Sequence, residues 1–357
     1  MNICFFGIYD REYSRNRVLI QGFEKNGYTV THCNADPRIY RGIRKYIELV
    51  HAYRGLREKN FEMVLVAFPG HTVVWLARIL FGCPVVFDAF VSLYNSNVED
   101  RKKYRKHSIR GYRDMFLDWH SCILSNNVLL DTNAHIQYFV ERYAISRKKF
   151  MRIFVSTTPN DFYPMSKKDE VSGDRFVVHF HGSFIPLQGI EYVLRASKFL
   201  ETDPTVLIRI IGSGQEYDFV RDLARELDAR NVEFVDRVPL QELKTYMNDA
   251  HVCLGIFGDT LKTNLVIPNK VYEALACHKP VITADTEAIR ELLQHRETAY
   301  LVPSGDPREI ARAVQDLKAD PVLRERLARQ GGALFETGLM PQMVVKDILE
   351  RIKEGVV

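Results

Sequence analysis

The chain has 357 residues, 46% hydrophobic and 26% charged, with a formal net charge of +4. At roughly 150 residues per domain this length predicts two domains rather than one large core. The composition excludes a disordered polymer. The mild charge argues against a nucleic-acid binder, which concentrates more positive charge on one surface.

Read from the start, the apolar residues 3–8 meet Asp10 and Arg11 too early for a secretory leader. Arg78 breaks the best later apolar run before it reaches the ~20 residues of a bilayer span. Six cysteines (Cys4, Cys33, Cys83, Cys122, Cys253 and Cys277) are scattered without a C-x-x-C pair. That pattern fits free thiols in a reducing cytoplasm better than a disulfide framework or a zinc site. A cytoplasmic protein is expected, with any membrane contact peripheral to the inner face.

Short β-branched runs at 3–6, 29–31, 63–68, 85–88, 128–131 and 151–155 alternate with helix-period stretches such as Val18, Leu19, Gly22 and Phe23. The runs are continuous rather than alternating, as in parallel strands buried on both faces. After the first run, residues 8–17 form a polar loop containing Asp10, Arg15 and Asn16, and Asp88 ends the fourth run. Residues 101–113 are distinctly basic, with Arg101, Lys102, Lys103, Arg105, Lys106, Arg110 and Arg113. Two readings stay open for them: a solvated helix face, or a surface that meets anionic lipid head groups or another anion.

The polar, proline-bearing stretch 160–170 reads as a linker. Alternation then restarts, with runs at 176–180, 206–211, 232–235, 252–256, 281–284 and 300–302. Helical faces lie between them, such as Ile310, Ala313, Val314 and Leu317, and a last helix carries Val345, Ile348, Leu349 and Ile352. The expected organisation is one α/β domain over 1–165, a second over 166–335, and a terminal helix over 336–357 that packs back on the first. Two doubly wound Rossmann-like halves imply a cleft lined by loops at the carboxyl ends of their strands.

The densest chemistry lies in Ile267-Pro268-Asn269-Lys270-Val271-Tyr272-Glu273 and the apolar residues that follow. Pro268 and Asn269 start a helix whose free N–H groups and dipole favour an anion. Glu273, one turn inside, is placed to accept hydrogen bonds from a ribose. His179 and His181 share a strand face, a spacing that fits a core or cleft pair better than a metal site, since no carboxylate or cysteine lies nearby in sequence.

Glu273-Ala274-Leu275-Ala276-Cys277 with Lys279-Pro280-Val281-Ile282 resembles the donor-binding signature of glycosyltransferase family 4, retaining enzymes of the group 1 glycosyltransferases with the GT-B fold. His181-Gly182-Ser183-Phe184 with Gly189-Ile190-Glu191, then Ile211-Gly212-Ser213-Gly214, and Leu301-Val302-Pro303-Ser304-Gly305-Asp306-Pro307 resemble further family stretches in the right order. The resemblance implies transfer of a sugar from a UDP- or GDP-sugar to an acceptor hydroxyl. The implied setting is glycan, polysaccharide or lipid-linked sugar assembly, by a hexosyl- or N-acetylhexosaminyltransferase.

It further implies that Glu273 holds the donor ribose, with Asn269, Lys270, His181, Gly182, Ser183, Gly212 and Gly214 around the donor. No cofactor and no metal are expected. The chain also departs from the family. Leu265 stands where a second Glu touches the sugar, and Ser183 and Gln188 stand where an Arg and a Lys hold the diphosphate. Phe90 replaces a His, leaving Asp88 as the catalytic-site carboxylate or a loop cap. Lys270, assisted by Lys262 or Arg237, is the expected cation opposite the leaving diphosphate. Asp10, Arg15 and Asn16 are the expected acceptor contacts. Two alternatives remain, a catalytically silent sugar-nucleotide binder and a sugar-nucleotide epimerase. The lack of a G-x-G-x-x-G after the first run argues against an NAD-linked dehydrogenase.

Overall fold

A computed structural model describes residues 1–165 and 175–354. Residues 166–170 of the expected linker lie outside the described residues. The chain divides into two compact units, one of residues 1–158 and 340–357, the other of residues 159–339.

The first unit holds β1 (Asn2–Gly7), α1 (Ser14–Lys25), β2 (Thr29–Asn34), α2 (Arg44–Arg54), β3 (Met63–Val66), α3 (Val74–Leu80), β4 (Val85–Phe90), α4 (Ile109–Leu124), β5 (Asn127–Leu130), α5 (Asn133–Tyr143) and β6 (Phe150–Arg152). Its strands form one parallel sheet in the order β2-β1-β3-β4-β5-β6. Each apolar run becomes a strand because both sheet faces are covered. Cys4, Phe6, Val64, Val66 and Phe87 pack under α2, α3, α4 and α5. Ile3, Phe5, Met63 and Leu65 pack on the other face with Val18, Leu19 and Phe23 of α1. Burial at this level contributes about 1.5–3 kcal/mol per large aliphatic side chain.

The second unit holds β7 (Phe176–Gly182), α6 (Ile190–Leu200), β8 (Val206–Gly212), α7 (Tyr217–Glu226), β9 (Val232–Val235), α8 (Leu240–Asp249), β10 (Val252–Leu254), α9 (Leu261–Leu265), α10 (Asn269–Ala276), β11 (Val281–Ala284), α11 (Glu287–Arg290), β12 (Tyr300–Val302), α12 (Pro307–Ala319) and α13 (Pro321–Leu334). Its strands are parallel in the order β12-β11-β10-β7-β8-β9. The strand order reverses between β7 and β10, and in the first unit between β1 and β3. A crevice opens at such a point because the crossover helices leave in opposite directions.

The chain then returns to the first unit as α14 (Pro341–Val344) and α15 (Lys346–Lys353). Val344, Val345, Ile348 and Leu349 join the core under α1. Gly22 of α1 permits this approach: a Cβ there would meet the Pro341 carbonyl and the Val345 side chain.

Candidate functional site

In the second unit, the switch point gathers most of the residues expected around a donor. β7 ends at His181 and Gly182, and α10 begins beyond Pro268 with extended backbone, as a helix entry requires. His181 Nε2 lies 2.8 Å from Glu273 Oε2, and His181 Nδ1 lies 3.0 Å from His179 Nε2. The carboxylate accepts, so His181 donates from Nε2, and with that ring neutral its Nδ1 accepts the proton carried on His179 Nε2. The three side chains form one directed chain, His179 to His181 to Glu273. His179 is fully enclosed, and burial first, then the charges of His181, Lys270 and Arg209, hold its pKa well below the usual histidine value. Burial thus keeps its ring neutral, as this chain of hydrogen bonds needs.

Lys270 is the unusual member. It is only 5% exposed, its Nζ sits 3.5 Å from the centroid of Phe180, and the amine has no hydrogen-bond partner among the described residues. Burial drives its pKa well below the ordinary lysine value, and the charge of Glu273 only partly opposes that. Burial disfavours the charged form, so an anion arriving beside this amine would be met by a group whose protonation the anion itself favours.

The glycine loops flank this group. Gly212 pairs with Gly182 across β7 and β8 and has φ of +128°, which suits glycine alone, since a Cβ would collide with the Gly182 carbonyl. Gly214 runs close against the Ser183 carbonyl. Ser183 is exposed, as is Arg237 beyond β9, whereas Lys262 in α9 is buried and Asn269 is half-buried. Gln188 and Leu265, where the family places charged side chains, are both buried. A cavity of about 530 Å³ in this unit lies elsewhere, near Arg175, Val206 and Asn231 at the amino ends of β7 and β8.

The first unit is arranged otherwise. Helix α1 begins at Ser14, so Arg15 and Asn16 stand in its first turn rather than in the expected loop. Instead of facing outward, Arg15 and Asp88 are both fully buried and face each other, with Arg15 Nη2 2.9 Å from Asp88 Oδ1. Arg15 also donates to the carbonyls of Ile153 and Phe154. Asn16 ties the Asp10 carbonyl to that of Phe68, and the half-buried Asp10 side chain meets Arg38 at 3.2 Å.

The sequence reading missed a cavity of about 480 Å³ at the switch point of this unit. Ile8 lines it from beyond β1, Pro69, His71 and Thr72 from beyond β3, and Lys45 and Tyr46 from α2. His71 is 3% exposed, with Nε2 3.4 Å from Asp118 Oδ1 and neither ring nitrogen in a hydrogen bond among the described residues. No motif announces it. The only available signal was a polar residue following the β3 run.

Two parallel-sheet Rossmann-like units of this kind are the architecture of the GT-B glycosyltransferases. Residues 163–333, most of the second unit, match the family model for glycosyl transferases group 1. The lipopolysaccharide core biosynthesis glycosyltransferase LpsD of Rhizobium meliloti is 28% identical over 54% of this chain and 54% of its own length. The phosphatidyl-myo-inositol mannosyltransferase of Mycobacterium leprae is 31% identical over 41% of this chain and 38% of its own. The matches thus span about half or less of these relatives. Among solved structures, sucrose-phosphate synthase of Thermosynechococcus elongatus superposes with a TM-score of 0.77 at 16% identity, over 99% of this chain and 98% of that one. Anabaena HepE in complex with UDP-glucose superposes with a TM-score of 0.75 at 15% identity, over 99% of this chain and all of that one. At such identities these two structures show the fold.

Proposed function

We propose that the protein is a retaining glycosyltransferase that moves a sugar from a nucleotide-diphosphate sugar to an acceptor hydroxyl. The observation that carries this reading is the group at the β7–β10 switch point, where a hydrogen-bonded carboxylate and an unpartnered buried lysine lie at one helix start. Glu273, oriented by His181, takes the ribose hydroxyls. Lys270 and the N–H groups opening α10 take the diphosphate, with Ser183 and the backbone at Gly182, Gly212 and Gly214 alongside, and with Lys262 or Arg237 assisting. Charge develops on the leaving diphosphate during transfer, and a desolvated cation is worth most there. In same-face transfer that phosphate takes the acceptor proton, so no protein base is required.

Anabaena HepE was crystallised with UDP-glucose, which supports a nucleotide-sugar donor. LpsD is named for lipopolysaccharide core synthesis and the Mycobacterium leprae enzyme for phosphatidyl-myo-inositol mannosylation. Those names favour an acceptor in glycan or lipid-linked assembly, and the mannosyltransferase name favours a hexosyl over an N-acetylhexosaminyl donor. The His71 cavity of the first unit, lined by Ile8 on the same loop as Asp10, is the acceptor region in this reading. One observation favours a silent binder instead: Ser183, Gln188 and Leu265 bring no charge to the donor.

Calorimetric titration of UDP, GDP, ADP and CMP into wild type and Glu273→Ala tests the reading. One nucleotide should bind selectively, and the substitution should weaken it tenfold or more, about 1.4 kcal/mol. No binding to the wild type would remove the donor site. Binding without turnover of the matching nucleotide sugars, across lipid-linked and soluble acceptors, would establish the silent binder.

A further inference from the structure

Helix α4 is built inside out. The face it packs against the first sheet carries Gly111, Asp114, Asp118, Ser121 and Cys122, all buried. Its solvent face carries Ile109, Tyr112, Phe116, Trp119 and Ile123, between 41% and 89% exposed. These five positions follow i, i+3, i+7, i+10, i+14 spacing, a single stripe along the helix. The polar inner face has its own task. Asp118 accepts from Ser92 Oγ, from the backbone N–H groups of Leu93 and Tyr94, and from Tyr143, while Asp114 accepts from Asn97.

The stripe is not isolated. Helices α2, α3 and α4 cover the same sheet face, and their outer sides expose Ile43 and Ile47 of the α2 region and Trp75 and Ile79 of α3. The segment entering α4 exposes Lys102, Lys103, Arg105 and Lys106, with Arg110 on the helix itself. Apolar and aromatic side chains beside exposed cations are the composition of a surface that lies in a lipid interface, with rings at head-group depth. A second copy of this face would set cations against cations, whereas anionic head groups complement them.

We infer that this outer helix layer, centred on the α4 stripe, docks the first unit onto an anionic membrane surface. No helix among the described residues is long and apolar enough to cross a membrane, so the contact is of the surface-lying kind. The inference does not depend on the donor reading, because it concerns neither the second unit nor any nucleotide.

Both tryptophans of the chain, Trp75 and Trp119, stand on this layer, so intrinsic fluorescence reports it directly. Vesicles of phosphatidylcholine containing about a third phosphatidylglycerol should shift the emission to the blue and sediment the full chain. Vesicles of phosphatidylcholine alone should do so far less. Phe116→Glu with Trp119→Glu should lower partitioning at least about tenfold, with circular dichroism unchanged because both positions are already exposed. Lys102→Glu with Lys106→Glu, which spares the stripe, should abolish the preference for anionic vesicles. Wild type that neither shifts nor sediments with anionic vesicles overturns the proposal. So does a concentration-dependent dimer in sedimentation velocity, lost in the Phe116 and Trp119 variant, with no response to lipid.

Discussion

Each unit buries a charged cluster near the carboxyl ends of its central strands, and the two clusters are finished to different degrees. In the first, Arg15 and Asp88 close on each other and on two backbone carbonyls. In the second, Glu273 has His181, but among the described residues Lys270 has only the face of Phe180. A closed pair holds elements together and offers nothing to a ligand. An open, buried lysine makes the empty protein less stable than it could be, and that cost is what an anion would relieve. Burial alone therefore does not distinguish structure from function; the count of satisfied partners does.

The largest expected effect tests the closed pair. Asp88→Asn leaves a fully buried guanidinium without its counter-charge, and about 3–5 kcal/mol of first-unit stability should be lost. Denaturant unfolding followed by Trp75 and Trp119, which both lie in that unit, reads the loss, and nucleotide titration of the second unit should be unchanged. A variant as stable as wild type would mean that the pair is not closed in solution.

Lys270→Met should do the reverse. It should weaken diphosphate binding while leaving the empty protein as stable or more so, since an apolar side chain of similar length replaces a desolvated amine. The pH dependence sharpens the test. Lys270 has a folded pKa well below the 10.5 of the unfolded chain, so the unfolded chain binds the extra proton between those values. Stability should then rise as pH climbs toward 10.5, and the substitution should flatten that rise. Unfolding midpoints across the alkaline range decide it.

The smallest effect concerns His179. Its folded pKa lies well below 6.5, so below that pH the unfolded chain takes up a proton that the folded ring refuses. Stability should fall on acidification, by at most about 1.4 kcal/mol per pH unit from this group. His179→Phe removes that proton uptake. Urea unfolding at mildly acidic pH should therefore show a shallower decline in the variant. An unaltered slope would mean that His179 does not carry the decline.

Much of the framework was readable without coordinates. All twelve apolar runs became strands, and three of them, Val232–Val235, Val281–Ala284 and Tyr300–Val302, match their expected bounds. Others moved by a few residues: the run at 63–68 ends as a strand at Val66, and that at 128–131 starts at Asn127. The start of α10 at Asn269 was readable because proline and asparagine mark a helix entry locally. The expected loop at 8–17 was cut short by α1, because Ser14 begins a helix whose first-turn arginine is drawn inward by Asp88, 73 residues away.

Sequence alone determined the alternation of buried strands and amphipathic helices, the division into two α/β units, and the motif that singles out Glu273. These are local properties: a side chain's period and its neighbours decide whether it sits in a strand, a helix or a turn. The tertiary structure decided which charges are closed and which stay open. It joined His181 to Glu273 across 92 residues and Arg15 to Asp88 across 73, opened a cavity beside His71, and turned the apolar face of α4 outward. Those outcomes depend on strand order and on what already fills the space behind each helix, and the chain's local pattern carries no record of either.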